Sequence, residues 1–171
     1  MQTNHPDHPG HQPGRGAPDD ARDHIGPIQE GLPWADDTFD YCVTMHGLMM
    51  LPEPDLIPAL VELRRVTKPG GWLRVSVPDI PTAVEAWASG SLLWFPLMAD
   101  DVDEAFCRYV TQGGATRSIF TAYRLAHLLA KAGWAGVTEE SYQSTMTTCR
   151  GITDLDSRPD ESIFMEARKP A

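Results

Sequence analysis

At 171 residues, of which 42% are hydrophobic, the chain is long enough for one domain with a buried core. Its 24 acidic and 14 basic residues leave a net charge of −10, which argues against nucleic acid as a partner, since neutralising phosphates needs a basic face. The start has no apolar leader, the apolar run at residues 92–99 is too short for a bilayer, and Cys42, Cys107 and Cys149 are scattered without metal spacing. A cytoplasmic protein with free thiols and no membrane partner is therefore expected.

Residues 1–23 are rich in Pro, Gly, Asp and His and have no apolar periodicity. They are expected to be a disordered or irregular arm preceding a domain over residues 24–171. His5, His8 and His11 recur within the arm every third residue. Flexible ligands rarely preform a site, so these read as a solvated tail, and no metal is expected. Residues 23–29, with Ile25 and Ile28 apolar, are expected to form a remnant strand that Pro27 confines to a sheet edge.

The stretch over residues 32–79 organises the chain. A strand at Phe39–Met45 follows the turn signal Asp36-Asp37. A helix comes next, with Asp55 as its cap and Pro58 near its start. Leu56, Leu60, Leu63 and Thr67 share one of its faces, and Arg64, Arg65 and Lys68 favour its carboxyl end. Lys68-Pro69-Gly70-Gly71 is a stop-and-turn signal, after which Leu73, Val75 and Val77 alternate as a second strand. Strand, helix, strand implies parallel pairing with a right-handed crossover. Ligands of such sheets lie beyond the carboxyl ends of the strands. Thr44, Met45 and His46 stand at one such end, Pro78 and Asp79 at the next.

Residues 82–89 read as a short helix stopped by Gly90, followed by an insertion over 91–119 that carries Trp94, Phe95, Phe106 and Tyr109. Its acidic run Asp100, Asp101, Asp103 and Glu104 suits a solvated first helical turn. Another helix opens at Phe120 or Thr121 and ends at Lys131-Ala132-Gly133. A strand around Val137, a polar loop over 143–159 and a last strand over 162–167 complete the chain.

Three stretches, LPWADDTFDYCV, LPEPDLIPALVELRRVTKPGGWLRVSVPD and DSRPDESIFMEARKP, resemble the later part of class I S-adenosylmethionine-dependent methyltransferases over roughly residues 24–171. The resemblance implies a shortened Rossmann-like α/β fold: a mostly parallel sheet with an antiparallel last strand and helices on both faces. It implies S-adenosylmethionine as cofactor and a small-molecule substrate. Leu32, Trp34, Thr44 and Met45 would line the cofactor side, with a plug at the bottom or rim of the domain as the alternative for Trp34. His46 matches the first position of a family pattern H-x-L-E-H-L, in which Met49 and Met50 replace the Glu and second His. His46 is the acid–base candidate, with a structural histidine as the alternative. Asp79 is the second catalytic candidate, with a helix cap as the alternative. Trp94, Arg108 and Tyr109 are candidate substrate contacts in a covering segment.

Two parts of the family's cofactor site do not occur in this sequence. No strand and glycine-rich loop precedes Leu32, and Pro27 stands where an acidic residue normally receives the adenine amino group. The expectation is a methyltransferase-like protein with an incomplete S-adenosylmethionine site. The alternative is a fold that has lost methylation and serves as a non-methylating biosynthetic enzyme, or as a regulatory or structural partner of a complete methyltransferase. In the family a further strand lies beside Phe39–Met45. Without it that edge is unprotected, so a homodimer or a heteromeric partner is expected to cover it.

Overall fold

The computed structural model describes residues 26–95, 99–149 and 151–171. The arm over 1–23 and its three histidines lie outside these. Four strands, β1 (Phe39–Met45), β2 (Thr67–Pro78), β3 (Ala135–Glu140) and β4 (Ser162–Arg168), form one sheet in the order β1-β2-β4-β3. β1 and β2 are parallel and are joined by α1 (Glu53–Val66), as the strand–helix–strand pattern requires. β4 runs antiparallel to both β2 and β3. The fold is thus the expected α/β type, but with a mixed sheet. Parallel pairing is confined to β1 and β2, because β3 and β4 return as a hairpin.

α1 does not open on an Asp55 cap. Pro52 is the capping residue, and Asp55 sits in the first turn, where it accepts a hydrogen bond from the Gln29 side chain at 3.0 Å. Two prolines at the entry pre-set the backbone, so a side-chain cap is dispensable. α1 ends at Val66, just before the stop signal at Lys68–Gly71, and the signal itself is absorbed into β2 as a bulge, so Lys68 lies in the strand and not in the last helical turn. The register jumps from Phe39 opposite Thr67 to Tyr41 opposite Trp72. Glycine is required there: a Cβ on Gly71 would stand 2.7 Å from the Asp40 carbonyl oxygen. Of the stretch expected as a remnant edge strand, residues 23–25 lie outside the described residues, and a 3₁₀ turn, Ile28–Glu30, is entered from Pro27. Proline's fixed φ and missing N–H suit a turn entry better than a ladder.

Leu73, Val75 and Val77 of β2 and Ile163, Met165 and Ala167 of β4 face the apolar sides of α1 and α4 (Ala122–Lys131), forming the main core. Thr121 caps α4, accepting from the Arg124 N–H at 3.1 Å. α2 (Ile80–Ala88) and α3 (Val102–Thr111) build a second apolar cluster around Ala83, Phe95, Ala105 and Tyr109, next to the carboxyl end of β2. Asp101 caps α3, with Asp103 and Glu104 in its first turn, as the acidic run predicted.

The sheet face opposite α1 and α4 carries Arg74, fully buried, and is covered by the loop between β3 and β4 instead of by a helix. Arg74 Nε and Nη2 donate to the Asp156 carboxylate at 2.7 and 2.5 Å, and Nη1 donates to Glu166 at 2.9 Å. The carbonyls of Ser144 and Ser141 accept its remaining N–H groups at 2.8 and 3.1 Å. The carboxylates in turn accept the backbone N–H groups of Gln143 and Met146. Burial alone would lower the guanidinium's pKa, yet the two carboxylates outweigh it and raise the value. All five donors are matched, which a dry interior demands.

Arg74→Ala would strand two buried carboxylates. The expected outcome is a loss of about 3–5 kcal/mol in stability, read from chemical denaturation curves, with the loop between β3 and β4 becoming protease-sensitive.

Candidate functional site

The carboxyl end of the sheet gathers polar side chains from three parts of the chain. His46 leaves β1 with a left-handed backbone (φ 53), while its N–H still donates to the Ser76 carbonyl at 2.9 Å. Its imidazole reaches past the end of β2 to β4, where Nε2 lies 2.8 Å from Ser162 Oγ. Ser162 is the first residue of β4 and stands opposite Pro78. Burial, helped by the charge of Arg158, pushes the His46 pKa down to about 4. The imidazole is therefore neutral at pH 7, and the direction of its bond to Ser162 follows the tautomer.

Glu161 ties the neighbouring elements to this point. Its carbonyl accepts the Tyr109 hydroxyl of α3 at 2.8 Å and the Asp79 N–H at 2.8 Å. Burial pushes its carboxyl pKa up, against the pull of Arg158. Its Oε2 is buried without a hydrogen-bond partner among the described residues. Tyr109 is itself held protonated, by burial first and then by the Glu161 charge. Arg158 is exposed, and its carbonyl accepts the Glu161 N–H at 3.3 Å.

The residues named from sequence are only partly brought together. His46 stands at this end as expected. Asp79 does too, but its carboxylate accepts the Thr82 N–H at 3.1 Å and the Thr82 hydroxyl at 2.8 Å, so it caps α2. Thr44 is buried in register with Val75, on the α1 side, while Met45 points to the other face. Trp34 packs edge-on against Phe39, the first residue of β1, and Leu32 bonds Glu62 and Arg65 of α1. Trp34 thus lies near the start of β1, a strand of seven residues, and Met45 at its end, roughly 20 Å away. Leu32 and Trp34 do not share a surface with Thr44 and Met45. Trp94 and Tyr109 meet edge-to-face at 5.1 Å, whereas Arg108 pairs with Glu104 on the exposed side of α3. No cluster of three or more metal-ligating side chains occurs among the described residues.

Arg158, Glu161 and Ser162 were missed in the sequence. The signal was available: an antiparallel last strand brings its first residues, not its last, to the carboxyl end of the parallel pair.

Residues 15–75 match the family model described as a methyltransferase domain. A demethylmenaquinone methyltransferase from Halalkalibacterium halodurans is 32% identical over 131 residues, covering 72% of this chain and 52% of the relative. This chain is a relative of the class I S-adenosylmethionine-dependent methyltransferases. Another demethylmenaquinone methyltransferase, from Paenarthrobacter aurescens, is 33% identical over 119 residues, covering 68% of this chain and 46% of the relative. The chain spans about half the length of these curated relatives. A chain from the complex between the Haloferax volcanii Trm112 methyltransferase activator and a methyltransferase shares the fold at a TM-score of 0.53 and 13% identity, covering 86% of this chain and 61% of that one. Pro27 enters a turn and offers no carboxylate, and the four lining candidates divide between the two ends of β1.

His46 also predicts a pH dependence. Its folded pKa of about 4 lies below its ordinary 6.5, so between these values the unfolded chain binds a proton that the fold refuses. Stability is complete above about pH 6.5 and falls as the pH drops toward 4. The expected loss is on the order of 2 kcal/mol once partial exposure is discounted, and His46→Gln should flatten that part of the stability–pH curve in urea titrations.

Proposed function

We propose that this chain is the acceptor-binding part of a small-molecule methyltransferase whose cofactor loop comes from another polypeptide segment. The observation that carries the reading is the neutral, half-buried His46 held 2.8 Å from Ser162 at the carboxyl end of the sheet. With the proton on Nε2, His46 donates to Ser162 and leaves Nδ1 as a proton acceptor. A base of such low pKa removes only acidic protons with ease, so the acceptor is a small molecule with an acidic hydroxyl. The relatives named demethylmenaquinone methyltransferase support a small-molecule acceptor. Trp94 and Tyr109 wall the acceptor side, and Asp79 acts by fixing α2. The three thiols, Cys42, Cys107 and Cys149, are free, which suits the cytoplasm.

The separation of Leu32 and Trp34 from Thr44 and Met45 favours a second reading. In it the fold has lost methylation and stabilises a complete methyltransferase. Isothermal titration tests both readings. The isolated chain should bind S-adenosylmethionine and S-adenosylhomocysteine no tighter than millimolar, and Pro27→Asp should not rescue binding. Micromolar binding by the isolated chain would sink the incomplete site and, with it, the second reading. In the complete assembly, His46→Ala should abolish acceptor methylation with unchanged circular dichroism under the first reading, and leave it unchanged under the second.

Both readings require a partner. β1 is an edge of the sheet, seven residues long, with neither Lys nor Pro, and nothing pairs its outer side among the described residues. A twofold copy or a second protein would continue the sheet there. Light scattering at low protein concentration should give more than the monomer mass. A dilution-stable monomer that binds no hydrophobic dye overturns this.

A further inference from the structure

We propose that the partner at the open edge of β1 is a basic protein that adds an extended strand there, and that one lysine of that strand enters a hydroxyl-lined hollow beside Tyr41. The inference rests on the reading that this edge needs a partner, and it names the partner's chemistry.

The backbone groups that the edge offers follow from those already used. The His46 N–H donates to the Ser76 carbonyl of β2, and the Asp40 carbonyl oxygen points at Gly71 of β2. Even-numbered residues of β1 therefore turn their backbone toward β2. By the two-residue alternation of a strand, Tyr41 and Val43 turn theirs outward, where no strand receives them among the described residues. Cys42 and Thr44 lie on the α1 side, so the side chains of Tyr41 and Val43 lie on the other face. The loop between β3 and β4 reaches β1 on that face and leaves a hollow of about 510 Å³, lined in part by Thr148, Cys149, Thr153 and Asp154. A Cβ on Gly151, also in its wall, would meet the Tyr41 hydroxyl at 3.0 Å and Asp154 Oδ2 at 3.3 Å. Phenol and carboxylate thus converge on one point, where glycine alone leaves room and tolerates the backbone (φ 98). The hollow is preformed. The hydroxyls of Thr145 and Thr147 accept the N–H groups of Thr147 and Cys149 at 3.1 Å each, Ile152 is fully buried, and Asp156 is clamped by Arg74.

Charge selects the occupant. Asp36, Asp37, Asp40 and Asp156 each meet a lysine or arginine, whereas Asp154 meets none among the described residues. A carboxylate and a set of hydroxyl oxygens offer acceptors in several directions, which suits an ammonium with its three donors. A strand added beyond β1 would run about 4.8 Å from it, and its side chains on the Tyr41 face would rise beside the phenol toward the hollow. A second copy fits poorly. The residues that β1 would bring to this face, Phe39, Tyr41, Val43 and Met45, carry no charge, and each copy adds a net charge of −10. A basic strand satisfies both the open ladder and the lone carboxylate: main-chain bonds supply the affinity and the hollow supplies the choice of side chain.

The test uses the full chain and capped heptapeptides that alternate valine with polar residues and carry lysine, glutamine or glutamate at the centre. The lysine peptide should bind saturably and slow amide hydrogen exchange at Tyr41 and Val43. The glutamine peptide should bind more weakly, and the glutamate peptide most weakly of all. N-methylation of the lysine peptide on alternate amides, in the register that faces β1, should abolish binding. D154N should weaken the lysine peptide about fivefold, the upper end for a partly exposed ion pair, and leave the glutamine peptide within about twofold. In a C107S background, the lysine peptide should slow alkylation of Cys149, which lines the hollow, more than the glutamine peptide does. Light scattering at saturation should give one chain with one peptide. Equal affinity for lysine and glutamine peptides, exchange at Tyr41 and Val43 unchanged on binding, D154N without effect, or a second copy that the lysine peptide does not displace would each overturn the proposal. Failure to bind S-adenosylmethionine while the lysine peptide still binds bears on methyl transfer alone and leaves this surface standing.

Discussion

Arg74 is the constraint on which the rest of the sheet's second face depends. A guanidinium without solvent is tolerable only when every donor is matched, and its partners come from three places: Glu166 on β4, Asp156 near the end of the loop between β3 and β4, and the carbonyls at that loop's beginning. None of these can be absent while the others stay. The network therefore fixes a long polar loop that has little apolar surface to hold it down. It also fixes where Asp156 sits, hence the turn from Arg158 to Glu161, hence the position of Ser162 beneath the imidazole of His46. A core of leucines could have covered the face. It would not have set the position of that turn so closely.

Much of this fold was legible because local signals agreed with one another. The alternation of Leu73, Val75 and Val77, the apolar run before His46 and the stripe on α1 all describe faces turned to one core, and the structure has them so. The hydroxyl and carboxylate caps on α2, α3 and α4 follow the same logic. The failures share a cause. Arg74 sits between two apolar strand residues with nothing local to mark its burial, because its partners are 82 and 92 residues away in sequence. Ser162 is an ordinary serine until β4 is known to run antiparallel to β2. Trp34 resembles a cofactor wall by motif, but its contact with Phe39 places it at the start of β1. The composition of residues 23–29 suits an edge strand, but Pro27 opens a 3₁₀ turn at Ile28–Glu30.

Under the proposed function, acceptor and methyl donor are handled by two different portions of one machine. This chain would supply the side on which an acceptor lies: a neutral imidazole, a serine that holds it, and aromatic side chains on a helix cluster above. Another polypeptide segment would supply the surface for the methyl donor. A division along that line assigns recognition of the acceptor to one set of elements and provision of the donor to another, so each can change without disturbing the other.

Tyr109 has a consequence beyond its burial. Its hydroxyl is fastened to the carbonyl of Glu161, and the next residue along is the serine that touches His46. The helix cluster of α2 and α3 is thus coupled to the imidazole through two hydrogen bonds and one peptide link. Any ligand that wedges this cluster away from the sheet would tug on the serine and turn the ring, whereas one that presses it inward would hold the ring still. The histidine is in that sense a gauge of how well the space above it is filled. Fit at the covering helices would be reported directly at the imidazole.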